Sequence, residues 1–240
     1  MSSEEWLLKR QALLQKEKEL SKSLDGISAQ IRDLGMVPIT KKYTLTAPNG
    51  DAVQLVDLFD GRQQLIIYHF MFAPEWEEGC SACSFVSDHI PHLSHLNHRD
   101  TTYVAISRAP IEKINAFKER MGWAFPWYSS YNSDFNYDFH ATQDEAVRPV
   151  EYNYEDKESL DKKGHGYFTQ GETHAFSVLF RKAEEIFHAY STYARGAERV
   201  LNTYSLLDMT PFGRQGGPSD VMTFPHHDKY DVQGGLVQAH

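Results

Sequence analysis

The chain has 240 residues, 41% of them hydrophobic and 13% aromatic, and a formal charge of −9. Such a chain is long enough for one sizeable core that folds without staples. Its negative balance argues against a general binder of nucleic acid or of an anionic membrane, since both need a net positive face. Met1-Ser2-Ser3-Glu4-Glu5 carries no basic segment leading into an apolar one, and no apolar stretch approaches the roughly 20 residues of a membrane span. A cytoplasmic location is therefore expected, with partners that are neither nucleic acid nor membrane.

From Ser3 to about Leu34 apolar residues recur largely at spacings of three and four among Glu, Lys and Gln, which predicts a helix with Ser3 as N-cap, Gly35 as stop and an interruption at Gly26. Leu24, Ile27, Ile31 and Leu34 follow a heptad-like seam. The helix reads either as a homodimerisation helix or as one packed on its own domain. Residues 1–40 are taken as this extension, 41–209 as the main domain with an irregular insertion at 131–172, and 210–240 as a tail over the surface.

Tyr43–Leu45 and Val53–Leu55 flank Asn49-Gly50, the signature of a hairpin. The apolar run Leu65–Phe72 has strand length and suits a central strand buried on both faces. A helical pattern follows Cys83 and is broken at Pro91; Thr101–Ser107 reads as a second buried strand, and Ile111–Met121 as an amphipathic helix ended at Gly122. Strand, helix, strand, helix in this order predicts right-handed crossovers and a parallel sheet core. Phe125–Ser129 adds a short strand, His174–Phe180 and Ile186–Tyr190 a hairpin with a turn of about five residues, and Ala197–Leu207 a last helix.

The only cysteines, Cys80 and Cys83, stand one helical turn apart just after the apolar run. In a reducing compartment such a pair points to redox or metal chemistry before structural stapling. At a helix start the first cysteine is the exposed one, beside unpaired backbone N–H groups that favour its thiolate, so Cys80 is the expected nucleophile and Cys83 the buried resolving thiol. Glu75, Glu77 and Glu78 lie just upstream; crowding the site, they would raise the Cys80 pKa and favour a reducing poise. Trp76 is a candidate platform for a peptide or small disulfide, and His69 or Tyr68 a candidate proton shuttle to the buried sulfur.

Cys80-x2-Cys83-x11-His95-x2-His98 comes close to a zinc spacing. A helix over this stretch would hold His95 about 18 Å along the axis from Cys83, too far for one ion, so no metal and no cofactor are expected. His226-His227-Asp228 is a weaker metal suggestion. Peroxidase chemistry on a similar scaffold wants a proline seven residues and a hydroxyl three residues before the cysteine. Here Pro74 stands six before Cys80, and the hydroxyl position counted four on from that proline is a carboxylate, Glu78, which disfavours that chemistry.

Tyr68-His69-Phe70-Met71-Phe72, Trp76-Glu77-Glu78-Gly79-Cys80 with Cys83-Ser84-Phe85, Ser107-Arg108-Ala109-Pro110, Met121-Gly122-Trp123, Asp134-Phe135-Asn136-Tyr137-Asp138 and Tyr190-Ser191-Thr192-Tyr193-Ala194-Arg195-Gly196 together resemble the thioredoxin-like family catalogued as domain of unknown function 899. The likeness runs from Glu5-Trp6-Leu7 to His226-His227-Asp228. It implies an α/β fold with a thioredoxin-like, peroxiredoxin-related central sheet flanked by helices, and dithiol–disulfide activity at Cys80 and Cys83 on a protein or small-molecule disulfide or thiol. Thioredoxins carry a proline before the strand facing the cysteines. In Glu172-Thr173-His174-Ala175-Phe176 there is none, which sets Thr173 or His174 beside the sulfurs, and Arg195 is a candidate for an anionic substrate group or a structural salt bridge. The alternative functional class is a non-catalytic binding or scaffold protein on the same fold.

Overall fold

The computed structural model describes residues 1–216 and 220–230. Two compact units divide between Val37 and Pro38. The first is built on α1 (Ser3–Asp33), which runs through Gly26 without a break. Its N-cap is Ser2, not Ser3: the Ser2 hydroxyl accepts from the Glu5 N–H while the Glu5 carboxylate accepts from the Ser2 N–H, a reciprocal capping box. Gly35 lies just past the helix at φ +85°, a left-handed conformation that glycine adopts without steric cost. Trp6, Leu13, Leu20 and Ile27 fall at strict seven-residue intervals along α1, and their side chains are exposed.

From the boundary onward come β1 (Val37–Ile39), β2 (Thr44–Thr46), β3 (Ala52–Gln54), β4 (Gln64–His69), α2 (Ser81–Ser87), α3 (Ser94–Asn97), β5 (Thr101–Ser107), α4 (Ile111–Arg120) and β6 (Trp127–Ser129). The insertion supplies α5 (Phe135–Asp138), β7 (Thr142–Gln143), β8 (Glu151–Tyr152), β9 (Glu155–Asp156), α6 (Lys157–Lys162) and β10 (Gly171–Glu172), followed by β11 (Ala175–Lys182), β12 (Glu185–Tyr193) and α7 (Asn202–Leu207). Eight strands form one sheet in the order β1-β12-β11-β4-β5-β6-β2-β3. β4, β5 and β6 are mutually parallel, while β11 lies antiparallel on the other side of β4 and pairs with β12. The sheet is thus mixed, with a parallel centre of three strands. A strand that leads into a helix, flanked by a parallel and an antiparallel neighbour, makes this a thioredoxin-like α/β fold.

Alternation along β4 sends side chains to opposite faces. Ile66, Tyr68 and, just beyond the strand, Phe70 join a core with Cys83, Phe85 and Val86 of α2 and Ile111, Ile114 and Phe117 of α4. Leu65 and Ile67 join a second core with Leu55, Leu58, Phe59, Phe135 and Phe139. The insertion is anchored by its own apolar residues: Val150, Tyr152 and Leu160 pack with Ala175 and Tyr193. Its strands pair as β7 with β10 and β8 with β9.

The Asn49-Gly50 hairpin forms between β2 and β3. The later hairpin has a tighter turn than five residues: only Ala183 and Glu184 separate β11 from β12, with Ala183 at φ +54°. The last helical stretch is split, with a 3-10 segment over Ala194–Val200 before α7, because Leu201 leaves helical backbone at ψ 80°. Among the described residues no helix is long and apolar enough to cross a membrane.

Candidate redox site

β4 delivers its chain end through Phe70, Met71 and Phe72 into a loop that turns back at Gly79. A side chain at Gly79 is sterically excluded: a Cβ there would lie 2.5 Å from Phe70 Cε1 and 2.8 Å from Phe117 Cε1. The Lys113 ammonium of α4 donates to the Pro74 and Trp76 carbonyls, each at 3.0 Å, and fixes the loop from outside. The Cys80 N–H donates to the Met71 carbonyl at 3.1 Å, and the Cys80 carbonyl accepts from both the N–H and the hydroxyl of Ser84 at 2.9 Å. Cys80 is therefore the N-cap of α2, with extended backbone at φ −54° and ψ 131°, and Cys83 stands one turn in.

The two sulfurs have different environments. Cys80 is partly exposed and Cys83 is buried. The Cys83 thiol donates to the Cys80 sulfur and, against the opposing effect of burial, holds the Cys80 pKa down to about 7; the backbone N–H groups of Cys83 and Ala82 contribute in the same direction. These N–H groups complete no cap hydrogen bond of standard geometry to the large sulfur atom, so they act as nearby dipoles. Burial, and then the interaction with the Cys80 sulfur, push the Cys83 thiol well up.

The expected crowding is corrected at Glu78 and Glu77, which are paired with cations or turned to solvent. Glu78 belongs to a closed ion network: its carboxylate lies 2.7 and 2.9 Å from Lys229 Nζ and 2.8 Å from Arg120 Nη1, and is held down to about 2 by those two hydrogen-bonded cations. The Glu77 side chain is turned to solvent at 94% exposure, 3.9 Å from Lys113 Nζ. Local hydrogen-bond donors, not carboxylates, set the Cys80 thiol.

His69 is corrected as the shuttle to the buried sulfur. Strand alternation turns it to the opposite face of the sheet from Cys83, where its ring stacks on Phe135 and Phe139 and Nε2 bonds Ser177 Oγ at 3.0 Å. Burial lowers its pKa to about 3, so the ring is neutral at physiological pH. Tyr68 is the residue on the Cys83 face. Trp76 packs at the edge of the same core as Cys80. Thr173 and His174 precede β11 at the sheet end where the cysteine loop leaves, yet both are engaged elsewhere: the Thr173 hydroxyl donates to the His140 carbonyl at 3.0 Å, and His174 Nε2 meets the Ala194 carbonyl at 3.2 Å. Arg195 spends its guanidinium on Glu198 at 2.6 Å in an exposed i,i+3 pair, the structural alternative of its two readings.

The C-terminal segment was not legible as part of the site. His226 is 4% exposed, packs edge-on to Phe117 and bonds the Gly79 carbonyl at 2.8 Å through Nε2. Phe224 stacks on Phe85 of α2 at 4.2 Å, Asp228 pairs with Arg120 at 2.7 Å, and His227 Nδ1 reaches Asp88 at 2.7 Å. Residues 224–230 thus clasp the cysteine loop on the Glu78–Gly79 side and along α2. His226-His227-Asp228 forms part of this clasp, and among the described residues no three His, Cys, Asp or Glu side chains converge as a metal site. The clue in the sequence was a histidine pair beside Phe224; nothing in it named the Gly79 carbonyl as partner.

Residues 1–230 match the model of the family described as bacterial protein of unknown function (DUF899). The chain belongs to this family. Among solved structures, the chain is similar to peroxidoxin BcpB from Mycobacterium tuberculosis at 14% identity and a TM-score of 0.46, covering 70% of this chain and 93% of that one. It is also similar to a cysteine-to-serine mutant of PrxQ from Xylella fastidiosa at 14% identity and a TM-score of 0.44, covering 68% and 88%. Likeness at this level carries neither substrate nor mechanism from those proteins to this one. No curated protein is significantly similar to the chain.

Proposed function

We propose that this protein is a thiol–disulfide oxidoreductase in which Cys80 attacks a protein or small-molecule disulfide and Cys83 resolves the mixed disulfide. One observation carries the reading: Cys80 caps α2 with a partly exposed sulfur and Cys83 stands buried one turn away, and in keeping with this the Cys80 thiol is held to about 7 and the Cys83 thiol pushed up. At neutral pH Cys80 is then about half thiolate while Cys83 keeps its proton, the division of labour that such a reaction needs.

In the forward direction the Cys80 thiolate attacks a disulfide R–S–S–R′, forming Cys80–S–S–R and expelling R′–S⁻. The Cys83 proton passes to R′–S⁻, and the Cys83 sulfur attacks Cys80, closing the Cys80–Cys83 disulfide and releasing R–S⁻. Two electrons move from the cysteine pair to the substrate. A dithiol reductant resets the pair by the reverse exchange.

A nucleophile near 7 matches reducing proteins of this fold, at about 7, and not strong oxidants, at about 3.5. The reducing poise inferred from the acids is retained, on a different physical ground. The test is disulfide reduction by dithiothreitol in the presence of wild type, Cys80→Ser and Cys83→Ser, with the potential measured against glutathione. Catalysis by wild type alone and a potential nearer about −270 mV than −120 mV are expected. Equal rates for all three proteins would leave the scaffold reading in possession.

A further inference from the structure

Two tyrosine hydroxyls are buried without a hydrogen-bond partner in the core that holds the resolving cysteine. Tyr68 and Tyr103 are 0% and 2% exposed, and neither hydroxyl has a hydrogen-bond partner of standard geometry. β4 and β5 pair with Ile66 opposite Tyr103, so Tyr68 and Tyr103 sit two ladder steps apart on one face of the sheet, in the same core as Cys83. Both rings and the Cys83 side chain share this one core, and the Tyr68 phenol and the Cys83 thiol lie close enough to shift each other's titration, with Tyr103 coupled to Cys83 more weakly through charge. A buried phenol without a partner costs free energy on the order of 1–3 kcal/mol. A phenylalanine in either place would avoid that cost and keep the packing.

We propose that the Tyr68 and Tyr103 hydroxyls form a thiolate cradle: two preorganised donors that stabilise negative charge on the Cys83 sulfur when it attacks, or is expelled from, the Cys80 sulfur. The inference rests on the redox reading above and names residues of that same reaction. Charge develops on Cys83 only during the exchange, among the apolar side chains of this core. Donors aimed at a site of transient charge in a dry environment stabilise the transition state more than the ground state. Both phenols are held well above their ordinary titration range by burial, so each keeps its proton and acts as a donor and not as a base. The Cys83 proton therefore leaves with R′–S⁻, as written above, and no proton is stored on tyrosine.

The test follows the release of thionitrobenzoate from 5,5′-dithiobis(2-nitrobenzoate) by stopped flow at 412 nm. Attack by Cys80 releases one equivalent, and resolution by Cys83 releases the second. In Tyr68→Phe the second phase is expected to slow at least about tenfold, as for loss of one hydrogen bond to a charged group, while the first phase stays within about twofold. Tyr103→Phe is expected to slow it less, and the double variant more than either. Phenylalanine preserves the Tyr68 ring stack on Phe176 at 4.6 Å, and circular dichroism with thermal melting verifies folding. An unchanged second phase in both variants, or equal slowing of both phases, would overturn the cradle while leaving the redox pair intact. A wild type that releases only one equivalent would overturn the redox reading itself, and the cradle with it.

Discussion

Replacing Cys83 by alanine removes the largest contribution to the low pKa of Cys80, the hydrogen bond from the Cys83 thiol. The thiolate is stabilised from an ordinary 9.0 to about 7, a difference on the order of 3 kcal/mol between protonation states. The backbone N–H groups of Ala82 and Cys83 survive the substitution, and burial still opposes ionisation, so Cys80 in Cys83→Ala should titrate about one to two pH units higher. Cys83→Ser keeps a donor in place and should fall between. Absorbance at 240 nm against pH measures this directly, because Cys83 is pushed well above the range and leaves the wild type with a single wave near 7. Alkylation by iodoacetamide should follow the same curve. Glu78→Gln serves as the control, since Glu78 is already neutralised by Lys229 and Arg120 and its loss should leave the wave in place. If Cys83→Ala still titrated near 7 while Glu78→Gln moved the wave downward, the carboxylates and not the second thiol would govern the nucleophile.

The Glu78 carboxylate, whose pKa falls from 4.5 to about 2 on folding, contributes stability that is fully present above 4.5 and lost as pH falls toward 2; the melting temperature of Glu78→Gln should lie below wild type at pH 7, and the gap should close across that window. A constant gap would show that the ion network around Lys229 and Arg120 is not its source. Gly79→Ala places a methyl group within 2.5 Å of Phe70 and should cost about 1–3 kcal/mol, read as a lower urea midpoint with unchanged slope. His226→Ala removes a buried bond to the Gly79 carbonyl and should cost about 1 kcal/mol or more, with faster proteolytic clipping after residue 223 as a second readout. The exposed column Trp6, Leu13, Leu20 and Ile27 on α1 is expected to pair with its counterpart in a second copy; light scattering should find a dimer that Leu20→Glu with Ile27→Glu converts to monomer, and a monomeric wild type at tens of micromolar would refute it.

Local patterns carried a large part of the fold. The run Leu65–Phe72 was readable as a central strand because both its faces are buried, and the alternation of strand and helix up to β6 was readable because each element buries one periodic face. The placing of Cys80 and Cys83 was legible too: the expected partly exposed first sulfur and buried second sulfur, one turn apart at a helix start, are what the fold has. Short-range chemistry also determined Gly35, Gly50 and the β2–β3 turn.

What the sequence left undecided depends on contacts between distant residues. Whether Glu78 crowds Cys80 turns on Lys229, 151 positions away, and on Arg120 from α4. Whether His69 or Tyr68 serves Cys83 turns on the register and facing of β4, where a shift of one residue exchanges the two faces. That His226 is buried against Gly79 follows from the return of the chain over α2 and α4 and from no local signal. The cysteine spacing by itself therefore marked where the proposed exchange chemistry would sit. Only the tertiary structure decided the charge, proton and donor environment of each sulfur, because those fields are summed over groups that the fold brings together and the sequence keeps apart.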